Sequence, residues 1–296
     1  MLLKNSVDAM PLTRPIILLD PDASAHERAQ IFAALGRMPE IPKRADVLGV
    51  YSEAHDEDDI NDLLSIDHPR LTEVCVHAAT DELNDALYAL ICETESSLIV
   101  AGMHPRTGLQ TLRRSNSKSV LNKQANVDFL LVNMAHKKSL SDGYDNVLIA
   151  VDSTSAARRV IERTCQYGLN QSAKCVLTIL PTAAAIEGVT PYRVFSKSPK
   201  LEMQREVDAT CRENLSRILR GGFEHVDITV AHGHTGATIT SKAQEINADL
   251  IVMGASPRSS LNKWMLGSTL DFVLNNAACD CLVIGSAPQG KDKYIE

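Results

Sequence analysis

Residues 250–284 read LIVMGASPRSSLNKWMLGSTLDFVLNNAACDCLVI, and residues 98–132 read LIVAGMHPRTGLQTLRRSNSKSVLNKQANVDFLLV. The two segments start 152 positions apart and align without a gap, with Leu98/Leu250, Gly102/Gly254, Pro105/Pro257, Arg106/Arg258 and Asp128/Asp280 among the identities. A period this long marks a duplicated domain, since solenoid units repeat every ~20–50 residues. The copies differ where a ligand would sit. The later one keeps Gly267-Ser268-Thr269, whereas Ser115-Asn116-Ser117 stand in the earlier one.

Around each copy the chain alternates short apolar runs with helical patterns. Strands are predicted at Arg14–Asp20, Ala45–Tyr51, Glu73–His77, Leu98–Ala101 and Phe129–Val132. After a polar linker at 135–144 the order restarts, with strands at Asn146–Asp152, Lys174–Leu180, Val226–Ala231, Leu250–Gly254 and Cys281–Gly285. Helical patterns occupy 24–37, 80–95, 155–169, 199–221, 236–247 and 268–277. Leu83, Leu87, Leu90 and Ile91 fall at the i, i+4, i+7, i+8 spacing of one helix face. Continuous apolar strands between helices predict a parallel sheet with both faces covered. The fold class is therefore α/β: two tandem doubly wound parallel-sheet domains, at 14–134 and 145–287.

Composition narrows the function. The chain has 296 residues, 44% of them hydrophobic, and a net charge of −7, which argues against a nucleic-acid partner. Seven cysteines without a framework spacing predict reduced thiols in a cytoplasmic protein. Residues 1–15 lack the apolar stretch of an export signal, and no run of about 20 apolar residues predicts membrane insertion.

Ligands on doubly wound sheets bind beyond the carboxyl ends of the strands. In the second half Asp152 ends the first strand, Gly254 ends the fourth, and Gly267-Ser268-Thr269 opens the next helix. A glycine lets a phosphate approach the backbone, and a helix start offers free N–H groups with a positive dipole end. Asp152 can accept a hydrogen bond from a base or ribose.

This Gly254-x2-Pro257-x9-Gly267-Ser268 run, after an LIVMG strand and before CDCLVI, resembles the universal stress protein family, whose nucleotide-binding members carry G-x2-G-x9-G-(S/T). The resemblance covers nearly the whole chain. The first half carries it through the repeat and through Asp20, which mirrors Asp152. It implies strand order 3-2-1-4-5, pairing through fifth strands, and a stress-response sensor or adaptor that is not an enzyme. It also implies ATP or AMP as ligand, with magnesium accompanying ATP, and an unknown protein partner. Asp152 and Ile179 would flank the base, Met253 and Gly254 the ribose, and Gly267, Ser268 and Thr269 the phosphates.

The family's second glycine is Pro257 here. Proline has no N–H for a phosphate and fixes φ near −65°. Arg258 offers a guanidinium in its place. A nucleotide-independent scaffold, or a binder of a small apolar ligand, remains the alternative, with a slow ATPase as a third. Fifth-strand pairing would use Phe129–Val132 and Cys281–Gly285, giving an intramolecular pseudo-dimer, with a homodimer as further assembly.

Other segments carry blander readings. His232-Gly233-His234 and His77 follow or end strands in the two halves. Cys279-Asp280-Cys281 places two thiols on one strand face without further metal ligands. Glu53–Asp62 lacks the glycine and terminal glutamate of a calcium loop. Arg113-Arg114 and Trp264 sit inside the two motif segments.

Overall fold

The computed structural model describes residues 12–19, 23–50, 71, 73–79, 83–103, 127–135, 143–152, 156–171, 174–180, 221–223, 226–230, 235–255 and 268–285. The first half contains β1 (Ile16–Leu19), α1 (Ala25–Gly36), β2 (Arg44–Val50), β3 (Glu73–Ala79), α2 (Leu83–Thr94), β4 (Leu98–Met103) and β5 (Asp128–Asn133). The second contains β6 (Asn146–Asp152), α3 (Ala156–Gln166), β7 (Lys174–Leu180), β8 (Val226–Val230), α4 (Thr235–Glu245), β9 (Leu250–Gly254), α5 (Ser268–Asn276) and β10 (Asp280–Ile284).

All ten strands form one sheet, in the order β3-β2-β1-β4-β5-β10-β9-β6-β7-β8. Each half has the order 3-2-1-4-5 with parallel neighbours. The exception lies between the halves, where β5 and β10 pair antiparallel with Leu130 opposite Leu282. The two fifth strands thus satisfy each other's backbone groups and neither is a sheet edge. A local two-fold relation gives this arrangement, because a strand that meets its own copy about a two-fold perpendicular to the sheet pairs antiparallel and self-complementary.

Alternation along the strands sorts the core into two layers. Ile17, Leu19, Val100, Leu130, Val147, Val252 and Leu282 lie on one face with α1 and α3 residues such as Phe32 and Val160. Ile16, Leu18, Ile99, Leu131, Leu148, Ile251 and Cys281 lie on the other with residues of α2, α4 and α5, including Leu87, Ile239 and Val273. Each layer contains residues from both halves, so the apolar core runs unbroken across the seam.

Backbone details repeat at the spacing of the sequence. Glu95 and Asn247, 152 positions apart, are the non-glycine residues with positive φ among those described, both at 51°. Each follows the helix that leads into a fourth strand. Just beyond, Ser97 Oγ accepts from the backbone N–H of Thr13, and Asp249 accepts from those of Asp145 and Asn146. The same position before the fourth strand thus caps the entry to the first strand in both halves.

Local signals explain the helix ends. Ser24 and Glu27 form a capping box at the start of α1. The pattern at 155–169 predicts one continuous helix, but α3 ends at Gln166 and a 3-10 turn covers Leu169–Gln171. Gly168 breaks it with φ +75°, and a Cβ there would stand 2.8 Å from Pro39 Cβ of the first half. The expected helix at 199–221 lies outside the described residues except for its final glycine.

Candidate functional site

β6 lies between β7 and β9: the chain runs from β6 outward to β7 and β8, then returns from β8 across β6 to β9, so the direction of the connections reverses there. A crevice opens beyond the carboxyl ends of strands at such a reversal. Val151 pairs with Ile179 and Ala150 with Met253. The backbone therefore brings Asp152, Ile179, Met253 and Gly254 to one stretch of sheet edge. Ser268 and Thr269 are the first two residues of α5, and Thr269 is half-buried. Gly254 is half-buried at its strand end. The Met253 side chain is 5% exposed and belongs to the core layer with α4 and α5. Alternation forces this, so only its backbone serves the strand end.

Arg258 and Gly267 lie outside the described residues, as do Asp20, Arg113, Arg114, Ser115, Asn116, Pro257, Trp264, the 232–234 segment and Glu53–Asp62.

In the first half the matching glycine is Gly102. A Cβ on Gly102 would contact Met134 Cγ and Sδ at 3.4 Å and Ile31 Cδ1 at 3.5 Å. Met134 and Ile31 thus lie at ordinary van der Waals distance from the position a side chain would take at the glycine that repeats as Gly254. His77, expected at a strand end, lies two residues inside β3, paired with Leu48. Its Nε2 is 2.9 Å from Asp46 Oδ1, and Arg14 lies 3.8 Å from Asp46 Oδ2. His77 thus belongs to a polar cluster around Asp46, with Arg14 beside it. Cys279 and Cys281 are both buried in the α4/α5 layer, and burial pushes the Cys281 thiol well up.

The most organised polar groups straddle the seam. Asp128, at the start of β5, is buried among residues of the second half. Its Oδ2 accepts from Arg163 Nε on α3 and from Tyr167 Oη at 2.8 Å. Its Oδ1 accepts from the backbone N–H of Gly285 at 2.9 Å, just past the end of β10. Asp280, at the start of β10, repeats the arrangement. Its Oδ1 accepts from the N–H of Asn133 at 2.9 Å, and its Oδ2 meets Tyr144 Oη at 2.9 Å and Arg37 Nη1 at 3.3 Å. Each arginine also stacks over its tyrosine, at 5.0 Å for Arg163–Tyr167 and 5.6 Å for Arg37–Tyr144. We call these two clusters latches.

Burial raises the Asp128 carboxyl above the ordinary carboxylate range, against the lowering pull of Arg163 and the Gly285 N–H. Burial likewise pushes Tyr144 and Tyr167 far up, so both remain hydroxyl donors. Sequence reading missed the latches. Asp128/Asp280 is visible as a repeat identity, but nothing in the chain order joins Asp128 to Arg163 or Asp280 to Arg37.

No helix among the described residues is long and apolar enough to cross a membrane. Among known proteins, a Staphylococcus aureus (strain USA300) protein named for the universal stress proteins is 27% identical over 142 residues, covering 48% of this chain and 84% of that one. Two solved structures share the fold over almost the whole chain. A functionally unknown protein from Pseudomonas aeruginosa PAO1 matches with TM-score 0.60 at 20% identity, covering 92% of each chain. A universal stress protein from Archaeoglobus fulgidus DSM 4304 matches with TM-score 0.58 at 18% identity, covering 93% of this chain and 97% of that one. The model of the universal stress protein family matches residues 143–285, the second half of the chain, which is thus similar to that family.

Proposed function

We propose that the protein is a stress-response sensor or adaptor that binds an adenine nucleotide, ATP or AMP, in its second half. The observation that carries the reading is the convergence of Asp152, Ile179 and Gly254 at the reversal point of the second half-sheet, with α5 starting nearby. Asp152 would accept from the base or ribose. Gly254 leaves its backbone open to close approach, and Ser268 and Thr269 would offer hydroxyl and N–H donors to phosphate. Arg258 and Gly267 complete the set by sequence. The protein binds rather than transforms its ligand, and the first half serves as structural partner, its Gly102 being packed by Met134 and Ile31.

The test is calorimetric titration of the full chain with ATP-magnesium and with AMP. Gly267→Val puts a branched side chain where a phosphate would approach, so affinity should fall more than about tenfold, ~1.4 kcal/mol. Unchanged affinity would remove the phosphate assignment. Absence of any binding by the parent protein would favour the scaffold alternative, for which Pro257 speaks by withholding one N–H donor.

A further inference from the structure

The strand ends that frame the second half's candidate site are tied to a residue of the first half. Ala255, directly after Gly254, donates its N–H to Ile284 O at 2.8 Å. The next residue, Gly285, donates its N–H to Asp128 Oδ1, while its carbonyl accepts from Arg159 Nε at 2.7 Å. Arg159 lies in the first turn of α3, the helix that follows Asp152. The other oxygen of Asp128 holds Arg163, one turn further along α3, and Tyr167 beyond it. One carboxylate from the first half thus connects the end of β10, hence Gly254–Ala255, with the helix that carries the chain away from Asp152.

We propose that Asp128 is a positioning residue for the ligand end of the second half, so that the first half contributes to that site. The proposal rests on the reading of that strand edge as a ligand site. Asp128 touches no ligand. It fixes Gly285 and α3 relative to each other, and a site held from behind by buried hydrogen bonds keeps its geometry better than one left to its own loops. The second latch is the internal control. Asp280 makes the matching bond to Asn133 at the ligand end of the first half, so its loss should leave the second half's strand ends in place.

The experiment compares full-length parent, Asp128→Asn and Asp280→Asn by amide hydrogen exchange and by titration with ATP-magnesium and AMP. Asp128→Asn should speed exchange at 253–255 and 285 by about tenfold while 133–135 stay at the parent rate, and Asp280→Asn should do the reverse. Affinity should fall about tenfold in Asp128→Asn and stay within about twofold in Asp280→Asn. If Asp128→Asn folds poorly, Tyr167→Phe removes one bond to the same carboxylate and should loosen the same amides to a smaller degree. Uniform acceleration in both halves, or parent-like exchange at 253–255 and 285, would overturn the proposal. So would equal affinity losses in the two asparagine variants. If the parent protein binds neither nucleotide, the nucleotide reading falls, and the exchange pattern alone decides whether Asp128 positions that edge.

Discussion

The two latches begin from the same residue of a duplicated segment, yet their surroundings differ. Around Asp128, Arg163 and Tyr167 come from one helix and the turn after it, four residues apart, and Arg163 Nε lies 2.5 Å from the carboxylate. Around Asp280, Arg37 comes from the end of α1 and Tyr144 from the lead-in to β6, with a longer 3.3 Å contact. Arg37 Nε is buried without a hydrogen-bond partner. Duplication copied the aspartate, and each side then recruited its counter-charge from whatever the opposing half presented. One solution is tight and local, the other looser and assembled from two segments.

Removing a counter-charge tests that contrast most severely. Arg163→Met strands a fully buried carboxylate and should cost about 3–5 kcal/mol in chemical denaturation near neutral pH. The pH dependence has a definite sign. Burial raises the folded pKa of Asp128, so its contribution is fully present below the unfolded value of about 3.9 and is lost as pH rises through the folded value. Losing Arg163 removes a lowering influence and widens that window. The penalty of Arg163→Met should therefore be smaller at pH 4 than at pH 7, and a pH-independent penalty would contradict the assignment.

Arg37→Met should cost less, about 1.5–3 kcal/mol, because its contact is longer and one of its nitrogens already lacks a partner. Equal losses in the two methionine variants would show that the distances do not rank the latches. The double variant Asp128→Leu/Arg163→Met sharpens the same point. Replacing a whole buried pair removes the uncompensated charge, so stability should recover above that of Arg163→Met but stay below the parent by about 1–3 kcal/mol, because Tyr167 Oη and the Gly285 N–H lose their acceptor.

A milder test falls on the turn after α3. Gly168→Ala places a side chain at φ +75° and against Pro39, and should lower stability by about 1 kcal/mol or more. The smallest effect is chemical. Burial pushes the Cys165 thiol up to about 12, so maleimide at pH 8 should modify exposed Cys92 well before Cys165, Cys279 or Cys281. Early labelling of Cys165 would mean that the α3 region opens readily.

Much of the architecture was legible in the chain. Apolar runs bounded by turn residues located all ten strands within a residue or two, because strands that bury side chains on both sheet faces read as mostly apolar runs. Asp152 and Gly254 were legible as strand-end residues for the same reason. The burial of the Met253 side chain was not legible, because only the pleat decides which face a methionine at a strand end takes. His77 was misjudged because β3 runs two residues longer than its apolar run, which put the histidine inside the sheet beside Asp46.

By itself the sequence determined the duplication, the alternating βα order and the polar positions at the strand ends, since these follow from local periodicity and repeat identity. The tertiary structure decided what depends on residues far apart in the chain. It joined the two half-sheets by an antiparallel β5–β10 pair, set Met134 and Ile31 beside Gly102, and gave each repeated aspartate an arginine 35 or 243 positions away. A carboxylate can be buried only where a counter-charge and hydrogen-bond donors meet it, and which groups meet it is a property of the folded seam.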